Sequence, residues 1–141
     1  MTREDDLRAW ARSADIEQRF AAADADDLPV AVMRELLHDP DPEGQVVMSL
    51  LANYAVPREV LDEARNLPLS SARMGQIANH PNAPFDLAEA QPLWKHTYLS
   101  ITSYCEGKGL GEDVRDRIAE VWADLVPGQG GTLAEAVAAA R

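Results

Sequence analysis

Apolar positions along this chain fall into short stripes at helical spacing, separated by loops that carry proline. Val32, Leu36 and Leu37 share one face; Val47, Leu50 and Leu51 share the next; Val60, Leu61 and Ala64 form a third; Met74, Ile77 and Ala78 form a fourth. No β-branched run alternates with polar residues at period two, so the pattern predicts helices and no sheet. Each stripe covers only about two to three turns. Helices that short are unstable alone in water and must bury their stripes against neighbours.

The stripes recur with their loops. "LPVAVM" at Leu28, "VPREVL" at Val56 and "APFDLA" at Ala83 share an outline, with "QPLWKH" at Gln91 a weaker copy. Pro29, Pro57 and Pro84 follow one another at spacings of 28 and 27 residues. A proline suits the first turn of a helix, where its fixed φ fits and its missing N–H is no loss. A second phrase lies between the prolines. "HDPDPEGQVVMSLLANYAVP" pairs with "NLPLSSARMGQIANHPNAP", which matches Ala52-Asn53 to Ala78-Asn79. Asn at a helix end predicts a left-handed terminating residue.

"LLHDPDPEGQVVMSLLANYAVPREVL" resembles the leucine-rich repeat variant family, over roughly residues 27–90. The resemblance implies a right-handed superhelix of paired short helices. "NLPLSSARMGQ" departs from the pattern, lacking the Asp-Pro-Asp-Pro version of the loop. Some family members hold an iron–sulfur cluster on cysteines. Here the single cysteine, Cys105, lies outside the repeats, so no cofactor is expected.

The flanks differ from the repeats. Residues 1–27 read as a degenerate N-terminal cap, with Leu7, Trp10 and Ala11 on one side and Ile16, Phe20 and Ala23 on another. Ser13 or Asp15 caps the second of its helices. Residues 28–90 are the repeats, and 91–126 the C-terminal helices. In the latter, Leu93, Trp94, Tyr98, Ile101 and Cys105 run at helical spacing until "EGKGLGED" interrupts. Val114, Ile118, Val121, Trp122 and Leu125 then define one amphipathic face. Residues 127–131, "PGQGG", read as a flexible joint. In 132–141, Thr132 and Glu135 stand at capping-box spacing, and this short helix or tail is a candidate for self-association. The expected architecture is one all-α, solenoid-like domain over 1–126, its short helix pairs closed by longer C-terminal helices.

Composition narrows the functions. An apolar fraction of 46% indicates a folded chain. One cysteine cannot form an internal disulfide, which points to a reducing cytoplasm. No segment reaches the roughly 18 consecutive apolar residues of a membrane span, and "MTREDDLRAW" lacks the apolar region of a signal peptide. A net charge of −11 with scattered Arg and Lys argues against direct nucleic-acid binding. It serves solubility or attracts a basic partner.

Candidate chemistry is thin. "GKGLG" lacks the Ser or Thr and the preceding strand of a phosphate loop, and reads as a helix-to-helix turn. His38, His80 and His96 show no metal spacing and read as structural, the first two as partly exposed residues at helix ends. "DADD" lacks the Gly and terminal Glu of a calcium loop. No catalytic or metal-binding residue is predicted. Trp94, Tyr98 and Tyr104 with Lys95 and His96 form the richest aromatic patch, read first as core packing and in the alternative as a recognition surface; with the acidic residues Asp24, Asp26 and Asp27 they are the candidate interaction residues. The expected role is non-catalytic recognition of another protein with a basic surface. Two alternatives stand beside it: an acidic mimic that occupies a nucleic-acid-binding groove, and a small enzyme with a pocket in the C-terminal helices, lined by His96, Tyr98 or Cys105.

Overall fold

A computed structural model describes residues 2–141. Among them no strand forms. The elements are α1 (Arg3–Ala11), α2 (Ile16–Ala23), α3 (Val30–Leu36), α4 (Gln45–Leu51), α5 (Arg58–Ala64), α6 (Ser71–Asn79), α7 (Phe85–Ala90), α8 (Tyr98–Gly107), α9 (Glu112–Ala123) and α10 (Leu133–Ala140). A 3₁₀ turn, Leu93–Lys95, precedes α8. The chain is therefore all-α, as the periodicity predicts. It divides into two compact units, one ending at Gln76 and the other beginning at Ile77, with the division falling inside α6.

In the first unit, α1 packs on α2 and α3, α3 on α4 and α5, and α2 on α3 and α4. Odd-numbered helices thus touch the next odd one, and α2 touches α4. The stripes read from sequence supply the core: Val32, Leu36, Leu37, Val47, Leu50, Leu51, Val60, Leu61 and Ala64 are all buried. Pro29 and Pro57 sit one position earlier than a first-turn proline. Each is the capping residue itself, in extended conformation (φ −66 and −79). The Pro29 carbonyl accepts from the N–H groups of Val32 and Met33, and that of Pro57 from Val60 and Leu61. A capping residue starts the helical ladder with its C=O and needs no N–H of its own, so proline fits there as well. Asp15 caps α2 by accepting from the Glu17 N–H.

Asn53 does not take the left-handed conformation expected of it; no described residue other than glycine does. Its side chain works instead. The Asn53 amide donates to the carbonyls of Ala23 and Ala25 at 2.9 and 2.8 Å, and its Oδ1 accepts from the Ala55 N–H. These are carbonyls at the end of α2, which no further helical turn satisfies. Gly44 is where left-handed backbone is used (φ 67), at the cap of α4.

One ion pair among the described residues of this unit is buried. Arg19 Nε donates to Asp39 Oδ2 at 2.7 Å, with side-chain exposures of 12% and 1%. Arg19 Nη1 also donates to the carbonyls of Ser13 and Ala14, while Asp39 Oδ1 accepts from the Asp41 N–H. The pair thereby ties α2 to the α1–α2 and α3–α4 loops. The other cross-helix pairs, Arg3–Asp27, Arg12–Glu35 and Arg34–Glu63, are solvent-exposed, where such pairs contribute little.

In the second unit α7 packs on α8, α8 on α9, α9 on α10, and α10 back on α7. Leu93, Ile101, Tyr104, Cys105, Ile118, Leu133 and Val137 fill the middle. Pro84 caps α7 in the same way as the earlier prolines (φ −52). The expected continuous stripe from Leu93 to Cys105 is broken. Thr97 and Ser100 form a reciprocal capping box that starts α8 at Tyr98. Residues 132–141 are an integral part of this unit: Leu133 and Val137 are buried, and Leu93 N–H donates to Gly131 O while Leu133 N–H donates to Gln91 O. Thr132 caps α10 through the Glu135 N–H, as its spacing predicts.

Removing Asp39 leaves the buried Arg19 charge without its carboxylate. Asp39→Ala is expected to cost about 3 kcal/mol, read as a lower urea midpoint. The double variant Arg19→Met/Asp39→Leu recovers most of that loss. A single-variant loss no greater than that of Arg34→Ala, at an exposed pair, would contradict this account.

Candidate functional site

The aromatic and basic residues singled out from sequence separate into packed and exposed groups. His96 is 3% exposed and belongs to the interior. Its Nε2 lies 2.8 Å from the Ala88 carbonyl, which only accepts, so this nitrogen carries the proton. Nδ1 lies 2.9 Å from Ser100 Oγ and accepts from it when the ring is neutral. Tyr104 is also buried and donates its hydroxyl to Glu89 Oε2 at 2.7 Å. Burial, then the Glu89 carboxylate, holds its phenol strongly toward the protonated form. Cys105 is buried and its thiol is pushed up by desolvation, the environment of an inert cysteine. His80, expected at a partly exposed helix end, is buried, with Nδ1 accepting from the Asn82 N–H.

Tyr98 is 55% exposed, whereas Trp94 is half-buried with the Lys95 ammonium 5.4 Å from its ring centre. His96, Tyr98 and Cys105 therefore do not line one shared concave site. Two of the three are interior and face other partners; the third points to solvent.

Two other features lie on α9, on opposite flanks of its packed stripe. The Tyr98 ring lies 6.3 Å from that of Trp122, and Trp122 Nε1 donates to the His96 carbonyl at 2.9 Å. Val121 is 54% exposed, although the sequence places it on the packed face. Val121 and Trp122 lie about 100° apart around the helix. The chain at the start of α8 takes the Trp122 side, which leaves Val121 on the open flank. Beyond it runs an exposed acidic edge: Asp113, Asp116, Glu120 and Asp124. Asp116 pairs with Arg115 at 3.2 Å. Asp113, Glu120 and Asp124 have no cationic partner among the described residues. Sequence reasoning passed over this edge because carboxylates on an amphipathic helix usually mark only its solvated side.

Asp24, Asp26 and Asp27 belong to the first unit. Asp27 is engaged with Arg3 at 2.9 Å, and Asp24 ends α2; Asp24 and Asp26 are exposed. His38 is exposed. Gly109 (φ 68) makes the turn from α8 to α9 that "GKGLG" predicts. No group of His, Cys, Asp and Glu suited to a metal ion occurs among the described residues, and no described helix is long and apolar enough to cross a membrane.

No family model matches the chain, and comparison with curated proteins and with solved structures gives no match.

The buried imidazole makes stability pH-dependent. Desolvation pushes His96 below its ordinary 6.5, while the Ala88 hydrogen bond acts in the opposite direction. The unfolded chain therefore takes up a proton more readily than the folded one. This contribution is complete above pH 6.5 and is lost as pH falls toward the folded-state value. Between pH 7.5 and 5.5 the loss is expected to be up to about 1 kcal/mol. His96→Gln keeps a donor for the Ala88 carbonyl and cannot titrate. Urea midpoints at the two pH values should differ less in this variant than in the parent; equal differences would contradict the assignment.

Proposed function

We propose that this protein is a non-catalytic recognition module that binds a basic segment of another protein at the exposed edge of α9 in its second unit. The observation that carries this reading is the placement of three carboxylates without a cationic partner among the described residues, Asp113, Glu120 and Asp124, on the exposed edge of α9 next to exposed Val121. Interfaces combine apolar anchors, Tyr and Trp prominent among them, with a polar rim. An acidic rim favours a positively charged partner and speeds its approach. Val121 stands on α9, whose Trp122 Nε1–H donates to the His96 carbonyl, so this apolar contact point is held in place before binding.

The helical-repeat reading belongs to the same proposal. We infer that the first unit is a short solenoid of the leucine-rich repeat variant kind. The contacts of α1 with α3, of α3 with α5 and of α2 with α4 support it. So does the recurrence of one hydrogen-bond span: Asn53 reaches Ala25 and Gln76 reaches Met48, each 28 residues back. In such a stack the repeats serve as scaffold.

Selection from a displayed random-peptide library tests the recognition reading. Enriched peptides are expected to be net positive, to contain an apolar residue and to bind less tightly as salt rises. Glu120→Lys/Asp124→Lys should lower their affinity about tenfold or more, while Glu17→Lys on the first unit leaves it unchanged. Enrichment of neutral peptides, or equal loss in both variants, would overturn the assignment.

A further inference from the structure

A second surface feature of this unit is a cleft of about 310 Å³ between α7, α8 and α10. It is formed by Glu89, Tyr104, Lys108, Leu110, Val137 and Arg141, with Ala134 and Ala138 on its α10 side. Residues 134, 137, 138 and 141 recur at i, i+3, i+4 and i+7 and so share one helix face. Alanine at two of these positions leaves the space that larger side chains would fill. The volume lies at the small end of the range for ligand sites.

We propose that this cleft binds a ligand that carries a carboxylate and an adjacent N–H donor on an apolar carbon skeleton, the chemistry shared by a free apolar amino acid and the C-terminal residue of a peptide. Each part of the ligand has a counterpart. Lys108 and Arg141 bring two positive charges to the cleft, and neither forms an ion pair with a side-chain carboxylate among the described residues. Lys108 is held by the face of Phe85, its ammonium 5.0 Å from the ring centre, and Phe85 in turn packs edge-on against Tyr104. The cation is thereby positioned without being neutralised.

Glu89 supplies the acceptor. Its Oε2 is occupied by the Tyr104 hydroxyl, while Oε1 takes no hydrogen bond among the described residues. One negative and two positive side chains line the cleft, in a chain of charge −11. A carboxylate meets the two cations, and an N–H group reaches the free acceptor. Leu110, Val137 and the two alanines accept an aliphatic or aromatic side chain. Tyr104 fixes the Glu89 carboxylate and is a positioning residue here.

The probes are leucine, a tetrapeptide ending in leucine, and the same tetrapeptide amidated at its C-terminus. Each is titrated into the full chain and followed by amide chemical shifts of Ala134 and Ala138. At least one free acid is expected to shift these signals saturably, and amidation should weaken peptide binding about tenfold. Tighter binding by leucine than by the tetrapeptide identifies a free amino acid as the ligand; the reverse order identifies a chain terminus. Lys108→Met and Arg141→Gln should each lower affinity about fivefold, and Ala138→Leu should abolish binding by filling the cleft. Because Lys108 and Arg141 are exposed, their variants decide the matter even if Ala138→Leu disturbs the fold. No shift with either acid up to about 10 mM, or equal binding of the amide, would overturn the proposal.

Discussion

A helix of seven residues cannot hold itself together, and α3, α4 and α5 are all of that length. Each has more terminal N–H and C=O groups to satisfy than it has internal hydrogen bonds. Two kinds of interaction make such helices possible in the first unit. Their apolar faces are wholly enclosed by neighbours, and side chains from other segments reach their ends and loops. Asn53 serves the end of α2, Arg19 the α1–α2 loop, and Gln76 the carbonyl of Met48 in α4. Arg19 and Asp39 are the extreme case, since burying a charge is tolerable only when the opposite charge and hydrogen bonds surround it. The order of the unit thus depends on contacts between segments far apart in sequence, with little intrinsic helix stability to support it.

This dependence explains what was legible. The apolar stripes of α3, α4 and α5 follow directly from period, and every residue assigned to them is buried. The prolines mark helix starts, but proline's ring-fixed φ fits a cap as well as a first turn, so the sequence does not separate the two positions. The ends were harder. Asn53 was assigned a backbone role, yet its side chain is what matters, and nothing local in "LANYAVP" shows that Ala23 and Ala25 lie within reach. Thr97 and Ser100 were missed because the capping box usually carries Glu or Gln at its third position, whereas here serine does the work.

Site residues were less legible than the fold for a related reason. Aromatic and basic identity does not reveal exposure. His96 and Tyr104 look like recognition residues in sequence, and both are interior groups whose polar atoms are spent on Ala88, Ser100 and Glu89. Val121 looks like a core residue and is exposed. A helix stripe has two flanks, and only packing decides which flank is covered. That decision is made by Trp122, whose ring meets Tyr98 and whose N–H meets the His96 carbonyl.

The distribution of carboxylates, more than their number, separates structural from available charge. In the first unit Asp27, Glu35, Asp39 and Glu63 each meet an arginine from another segment. On α9, Asp113, Glu120 and Asp124 meet none, and Arg117, which shares that helix, is turned to the Ala140 carbonyl at 2.8 Å. Solubility alone would be served by carboxylates placed anywhere on the surface. A run of them on one helix edge beside an exposed valine combines attraction at a distance with apolar contact at close range. Those are the two requirements for recognising a basic segment, the first setting how fast a partner arrives and the second how long it stays.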